Sequence, residues 1–132
     1  AETLQMGFSL KRLLADLRDP ALDPMRERIQ DWPEIAFPTV WSGLAATWRV
    51  EPLAAVSGYL WSWAENQVMA ALKAVPLGQS AGQRVLARLA QALPAAVEYA
   101  LDLAEGERQA FTPMLAILSA QHETQYSRLF RS

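Results

Sequence analysis

Cysteine is absent from this chain of 132 residues, and histidine occurs once, at His122. The chain therefore has no thiol for a disulfide, a zinc–thiolate site, an iron–sulfur cluster or a nucleophile. Since this composition fits a reducing compartment, we expect a cytoplasmic protein. No run approaches the roughly 18 uninterrupted apolar residues of a membrane span. With 12 basic against 14 acidic residues, the chain also lacks the basic excess typical of nucleic-acid binding.

Catalytic motifs are missing as well. No Gly-x-Ser-x-Gly elbow occurs, and the glycines of residues 78–83 have the wrong spacing for a phosphate-binding loop. Glu105 and Glu107 fall in a predicted surface loop, where solvated carboxylates are the expected interpretation. The sequence therefore predicts neither an enzyme nor a bound cofactor.

Helical spacing of apolar residues is what the chain has in abundance. Ala and Leu dominate an apolar content of 52%, and both are strong helix formers. We predict an all-α bundle of about five to seven helices, with one long central helix at residues 52–75 that is buried on several sides. The other predicted helices cover residues 4–17, 23–30, 38–48 and 79–93, a kinked or new helix from Pro94 to Leu103, and one starting near residues 111–113.

The sequence also predicts one helix cap and the inward face of one helix. Asp23 is predicted to cap the second helix, with Pro24 at its first position. The helix after residue 78 is predicted to face inward with four apolar side chains, namely Val85, Leu86, Leu89 and Leu93.

Five tryptophans lie between Trp32 and Trp63. They fit a core, since large apolar side chains are mostly inside, or a self-association surface, since Trp is a common interface anchor. Trp61 and Trp63 point to different sides of one helix, so they cannot both enter the same small core.

A polar corner follows the long helix. Pro76 and Gly78 predict a tight turn, after which Gln79 and Gln83 stack on one helical face, with Lys73 just upstream. This pattern fits either a solvated helix start or a corner that binds a partner.

The last eleven residues, 122–132, are rich in side chains that supply binding energy at interfaces. A chain end normally frays, so we predict a partner-binding tail here. Its candidate contact residues are His122, Glu123, Tyr126, Arg128, Leu129, Phe130 and Arg131. The two arginines, three residues apart, could hold carboxylates of a partner.

His122 leaves a metal alternative open. Its neighbour Glu123 does not face it on a helix, so the pair is not a chelate by spacing alone. A hydrogen-bonded or interface histidine is the expected interpretation, and a metal site built from two copies across a symmetric dimer is the other.

The corner and the tail together carry a resemblance to a known family. Residues 73–79 with Gly82 and Gln83, residues 58–66, and above all residues 122–132 resemble the UreF family of urease accessory proteins. The family's N-terminal portion, ahead of the segment matching residues 4–17, is missing. The chain therefore resembles the C-terminal part of the family, with a helical domain at residues 1–121 and a tail at residues 122–132.

This resemblance implies a non-catalytic scaffold that assembles with UreD (also called UreH) and the GTPase UreG to deliver nickel to the urease apoprotein. It also implies a homodimer for the full-length protein. The tail would dock with UreD, and the Lys73–Gln83 corner would contact UreG. A direct nickel-binding protein using His122 and a generic helical interaction module are the alternatives.

Overall fold

A computed structural model describes residues 2–75, 78–109 and 111–124 of the chain. In these ranges every regular element is a helix, which confirms the predicted all-α class. The α-helices are α1 (Glu2–Asp16), α2 (Asp23–Ile29), α3 (Phe37–Thr47), α4 (Pro52–Ala74), α5 (Gln79–Asp102) and α6 (Pro113–Glu123). None of the helices in the described ranges is both long and apolar enough to cross a membrane.

The chain divides into two compact units, Ala1–Trp63 and Ala64–Ser132. In the first unit α1 packs along α3. The core beneath them is a single aliphatic cluster contributed by all the helices up to α3 and the segments between them. Its buried members are Leu14, Leu22, Ile29, Ile35, Val40 and Leu44, with Leu10 and Met25 packed against them. Burial of these side chains is the main favourable term in the stability of the unit.

Gly7 sets how closely α1 approaches the segment before α3. A Cβ at this position would lie 2.0 Å from the carbonyl oxygen of Ile35 and 2.8 Å from the backbone nitrogen of Phe37. Only a residue without a side chain permits this contact of helix on backbone.

The start of α2 corrects one expectation. Asp23 is the first helical residue, with φ −56° and ψ −47°, and Leu22 occupies the cap position without a side-chain hydrogen bond. The Asp23 carboxylate pairs instead with Arg26, one turn later in the same helix. The capping carboxylate is that of Asp19, whose Oδ1 accepts a hydrogen bond from the Ala21 nitrogen at 2.9 Å. It opens the short 3₁₀ helix Pro20–Leu22 that precedes α2.

The long helix α4 ends one residue before the predicted position. It buries fewer side chains than predicted. Ala64 and Val68 are buried, whereas Ala71 is exposed. Glu65, Asn66 and Gln67 are all exposed, and three consecutive residues span about 200° of the helix surface.

The next helix, α5, has 24 residues against 23 in α4, because it runs through Pro94 without ending. A proline inside a helix removes one backbone hydrogen bond. Of the two predicted outcomes, a kinked helix or a new helix at Pro94, the new helix does not occur. The inward face also differs from the expectation. Leu86 is buried, together with Gly82 and Val97, while Val85 and Leu89 are exposed.

Beyond α5 the predicted loop at residues 105–107 is a short 3₁₀ helix, Glu105–Glu107. The Ala104 nitrogen donates to Glu107 Oε2 at 3.3 Å across this turn. Then α6 begins at Pro113, as predicted, and continues to Glu123.

Candidate functional site

The described residues at the end of α4 and the start of α5 are exposed. Lys73 lies in the last turn of α4, and Gly78 precedes α5 with an extended backbone at φ −68° and ψ 156°. Gln79 and Gln83 are one turn apart on α5, and both are exposed. The structure therefore places these four residues within a short stretch at the surface, while Pro76 lies outside the described residues.

Packing between the two helices fixes this corner from inside. Gly82 is buried, and a Cβ there would lie 2.6 Å from Leu72 Cδ1. Gln83 follows directly, so the close contact of α5 with Leu72 determines where the two glutamines project.

The C-terminal helix presents apolar side chains to solvent. Phe111, just before α6, is 82% exposed, and Met114, Ile117 and Leu118 are each more than half exposed. Met114, Ile117 and Leu118 are spaced i, i+3 and i+4, so they share one helical face. An exposed apolar face of this kind marks an interaction surface more often than a solvated one.

The predicted tail is described only in part. The backbone of His122 and Glu123 belongs to the last turn of α6, and the Thr124 hydroxyl donates to the Gln121 carbonyl at 3.0 Å. The side chains of His122 and Glu123 lie outside the described part of the chain. So do five of the candidate contact residues, namely Tyr126, Arg128, Leu129, Phe130 and Arg131.

The five tryptophans differ in exposure, and none of them is fully buried. Trp41 is half-buried, and its indole nitrogen donates to the Ala55 carbonyl at 2.9 Å. Trp32, Trp48 and Trp63 are exposed, and Trp61 is half-buried, so Trp61 and Trp63 differ as their spacing predicted.

An aromatic cluster in the first unit was not predicted. Phe37, Trp41 and Tyr59 form an aromatic cluster, with ring centroids 5.7 Å apart for Phe37 with Trp41 and for Phe37 with Tyr59. Gly58 brings α4 against the Trp41 ring, since a Cβ there would lie 3.2 Å from Trp41 Cζ2. Phe37 and Trp41 are four residues apart on α3, and this spacing was the signal available in the sequence.

Asp19 has a structural role in the first unit. The indole N–H of Trp48 donates to Asp19 Oδ2 at 2.9 Å. This hydrogen bond, followed by the one from the Ala21 nitrogen, lowers the pKa of the Asp19 carboxyl. Because both donors favour the charged form, Asp19 acts as an ionised anchor and not as a proton donor.

Among the residues that the structure describes, no group of three or more His, Asp and Glu side chains could hold a metal ion. No buried side-chain nitrogen or oxygen lacks a hydrogen-bond partner there either. The described part of the chain thus defines an all-α protein whose candidate functional features are surfaces. These surfaces are the α4–α5 corner and the exposed face of α6.

Comparison with known proteins gives the family. The UreF family model matches residues 1–90. A urease accessory protein UreF from Dechloromonas aromatica is 61% identical over 132 residues, which is all of this chain and 58% of that protein. One from an Azoarcus species is 59% identical over 133 residues, covering all of this chain and 57% of that protein. The chain belongs to the UreF family.

The resemblance found in the sequence is therefore confirmed. A third relative, the urease accessory protein UreF of a Polaromonas species, is 73% identical over 74 residues, covering 56% of this chain and 32% of that protein. The chain spans about 58% of the length of the Dechloromonas relative, a share that fits the expectation of a partial family sequence.

Proposed function

We propose that this chain is the partner-binding part of a non-catalytic scaffold in urease maturation. Membership of the UreF family over the full chain carries this proposal. The exposed apolar face of α6 supports it, because a helix that leaves Met114, Ile117 and Leu118 in water gains stability when a partner covers them. The chain would act in the cytoplasm.

Two partners are proposed for two surfaces. The face of α6, continued by the tail at residues 122–132, binds the UreD (UreH) type of accessory protein. The α4–α5 corner with Lys73, Gly78, Gln79 and Gln83 contacts the GTPase UreG. The assembly then supplies nickel, as cargo, to the urease apoprotein, with GTP hydrolysed on UreG, and the full-length protein works as a homodimer.

Deletion of residues 122–132 tests the first surface. We expect the deletion to abolish co-purification with the UreD-type partner. It should leave the helical circular dichroism nearly unchanged, because it removes only His122 and Glu123 from α6. A point variant, Arg128→Ala, should weaken the same assembly. Arg108→Ala is the matched control, since Arg108 is exposed and lies outside α6. Full binding by the deleted chain contradicts the proposal.

Calorimetry with nickel distinguishes the proposed scaffold from the alternative, a protein that binds nickel directly. The scaffold requires no tight binding of nickel by the isolated chain. Strong heat of binding that disappears in His122→Ala would instead support the direct nickel-binding alternative.

A further inference from the structure

Helix α5 carries two apolar faces, and only one of them is buried. Gly82, Leu86 and Val97 form the buried face. A second set of apolar side chains lies about 90° away around the helix, since each residue advances by about 100°. We call this set the α5 stripe. Its members are all exposed, namely Val85, Leu89, Ala92, Ala96 and Tyr99.

The spacing of the α5 stripe is typical of a surface that pairs with another helix. Its members follow one another at intervals of four, three, four and three residues. A mean period of about 3.5 residues keeps such a seam facing a second helix over its whole length. The two alanines at the centre are small, so a second helix can approach closely there. Pro94 lies nine residues after Val85, on the opposite side of α5, and leaves the seam uninterrupted.

The charged residues of α5 indicate the direction of the second helix. Arg84 and Arg88 lie in its N-terminal half, whereas Glu98 and Asp102 lie towards its C-terminal end. All four are exposed, and they lie on the side of the α5 stripe away from the buried face. Like charges four residues apart repel each other on a helix, and acidic groups at a helix C-terminus oppose the helix dipole. A neighbouring helix that carries the same charges in the opposite direction relieves both effects.

We propose that a second copy of this chain packs antiparallel against α5 through the α5 stripe. With the two-fold axis at the level of residue 94, Leu89 of each copy lies opposite Tyr99 of the other. The same register places the alanines of the two copies against each other. It also brings Arg88 of each copy beside Asp102 of the other, so the two-fold symmetry forms this ion pair twice. A second copy thus matches both the apolar seam and the charges.

This contact goes further than the proposed homodimer, because it names the surface through which two copies meet, and it rests on that part of the proposed function. It requires no other protein of urease maturation. The chain of 132 residues is therefore sufficient to test it, separately from the binding of UreD or UreG.

Charge reversal at Arg88 and Asp102 tests the register. Sedimentation equilibrium at low ionic strength, where charges are least screened, measures the dimerisation constant. We expect Arg88→Glu and Asp102→Arg each to weaken self-association at least about tenfold, because each change turns two attractive pairs into repulsive ones. Arg108→Glu is the matched control, since Arg108 is exposed and lies outside α5. It should leave the dimerisation constant unchanged.

Rescue distinguishes the antiparallel pair from a general effect of charge. The double variant Arg88→Glu with Asp102→Arg should associate as the unaltered chain does, because both ion pairs form again with reversed sign. An equimolar mixture of the two single variants should also form dimers, since each variant then supplies the charge that the other has lost. Neither variant should do so alone.

Three outcomes overturn the proposal. Dimers that are insensitive to both reversals meet through another surface, in which case the proposed homodimer stands and the α5 contact does not. Weakened association that the mixture fails to rescue excludes this antiparallel register. A chain that remains monomeric at its highest soluble concentration has no α5 contact, whereas its binding to the UreD-type partner is judged by the deletion described above.

Discussion

Trp48, at the end of α3, donates its indole N–H to Asp19 Oδ2 at 2.9 Å, across 29 positions of sequence. The same carboxylate accepts from the Ala21 nitrogen through Oδ1. One aspartate thus caps the turn before α2 and ties that turn to the far end of α3. The hydrogen bonds that hold it also lower the pKa of its carboxyl.

This relationship predicts a pH-dependent effect of Trp48→Phe. Because the pKa of Asp19 in the folded chain is below its ordinary value of 3.8, the stability it contributes is complete above that value. It is lost as the pH falls through the folded-state pKa. Urea unfolding should therefore show a larger deficit for Trp48→Phe at pH 6 than at pH 3. Trp32→Phe, also at an exposed tryptophan, should show no such difference.

Gly7→Ala should destabilise the chain, although alanine normally favours a helix. Its Cβ would meet Ile35 oxygen at 2.0 Å, and this backbone atom cannot rotate away. The overpacking should cost about 1–3 kcal/mol of unfolding free energy. Gly106→Ala is the control, because a Cβ at that position meets nothing within 4 Å. Equal midpoints in denaturant for the two variants would show that α1 shifts freely.

The predictable part of the structure rests on local chemistry. Prolines and apolar spacing located α3, α4 and the start of α6 within two residues, because these signals act on neighbouring positions. The sequence could not decide whether Pro94 starts a new helix, since the cost of one lost hydrogen bond depends on the packing of the whole helix around it. Val85 and Leu89 were predicted to face inward and are exposed. The periodicity of the apolar residues places both near Leu86 on α5, but it does not predict the width of the buried face of the helix.

Of the candidate features, one could be predicted from the sequence and one could not. The shared face of Gln79 and Gln83 follows from their spacing alone, and the structure confirms it. The aromatic cluster could not be predicted in full, because it needs Tyr59 of α4 beside Phe37 and Trp41 of α3. The distance between these helices depends on Gly58, which has no side chain to separate them.

Arg26→Lys should weaken the first unit despite preserving the charge. Arg26 Nε donates to the Leu14 carbonyl at 2.8 Å, and its two terminal nitrogens contact the Leu17 carbonyl and the Asp23 carboxylate. A lysine offers a single point of donation and cannot reproduce this fork. We expect a loss of about 1–2 kcal/mol, measured by urea unfolding. Arg28→Lys, on the same short helix and exposed, should change the unfolding free energy little.

The two glutamines allow partner binding at the α4–α5 corner to be tested independently of binding at α6 and the tail. The double variant Gln79→Ala with Gln83→Ala removes both amides from the corner, and helical stability is preserved because alanine is the best helix former. We expect weaker binding of UreG, by about tenfold for the loss of two net hydrogen bonds, with binding of UreD unchanged. Biolayer interferometry with each partner in turn measures both affinities. Gln91→Ala, an exposed position farther along α5, should leave both affinities unchanged. If the double variant binds UreG as tightly as the unaltered chain, the corner is an ordinary solvated helix start.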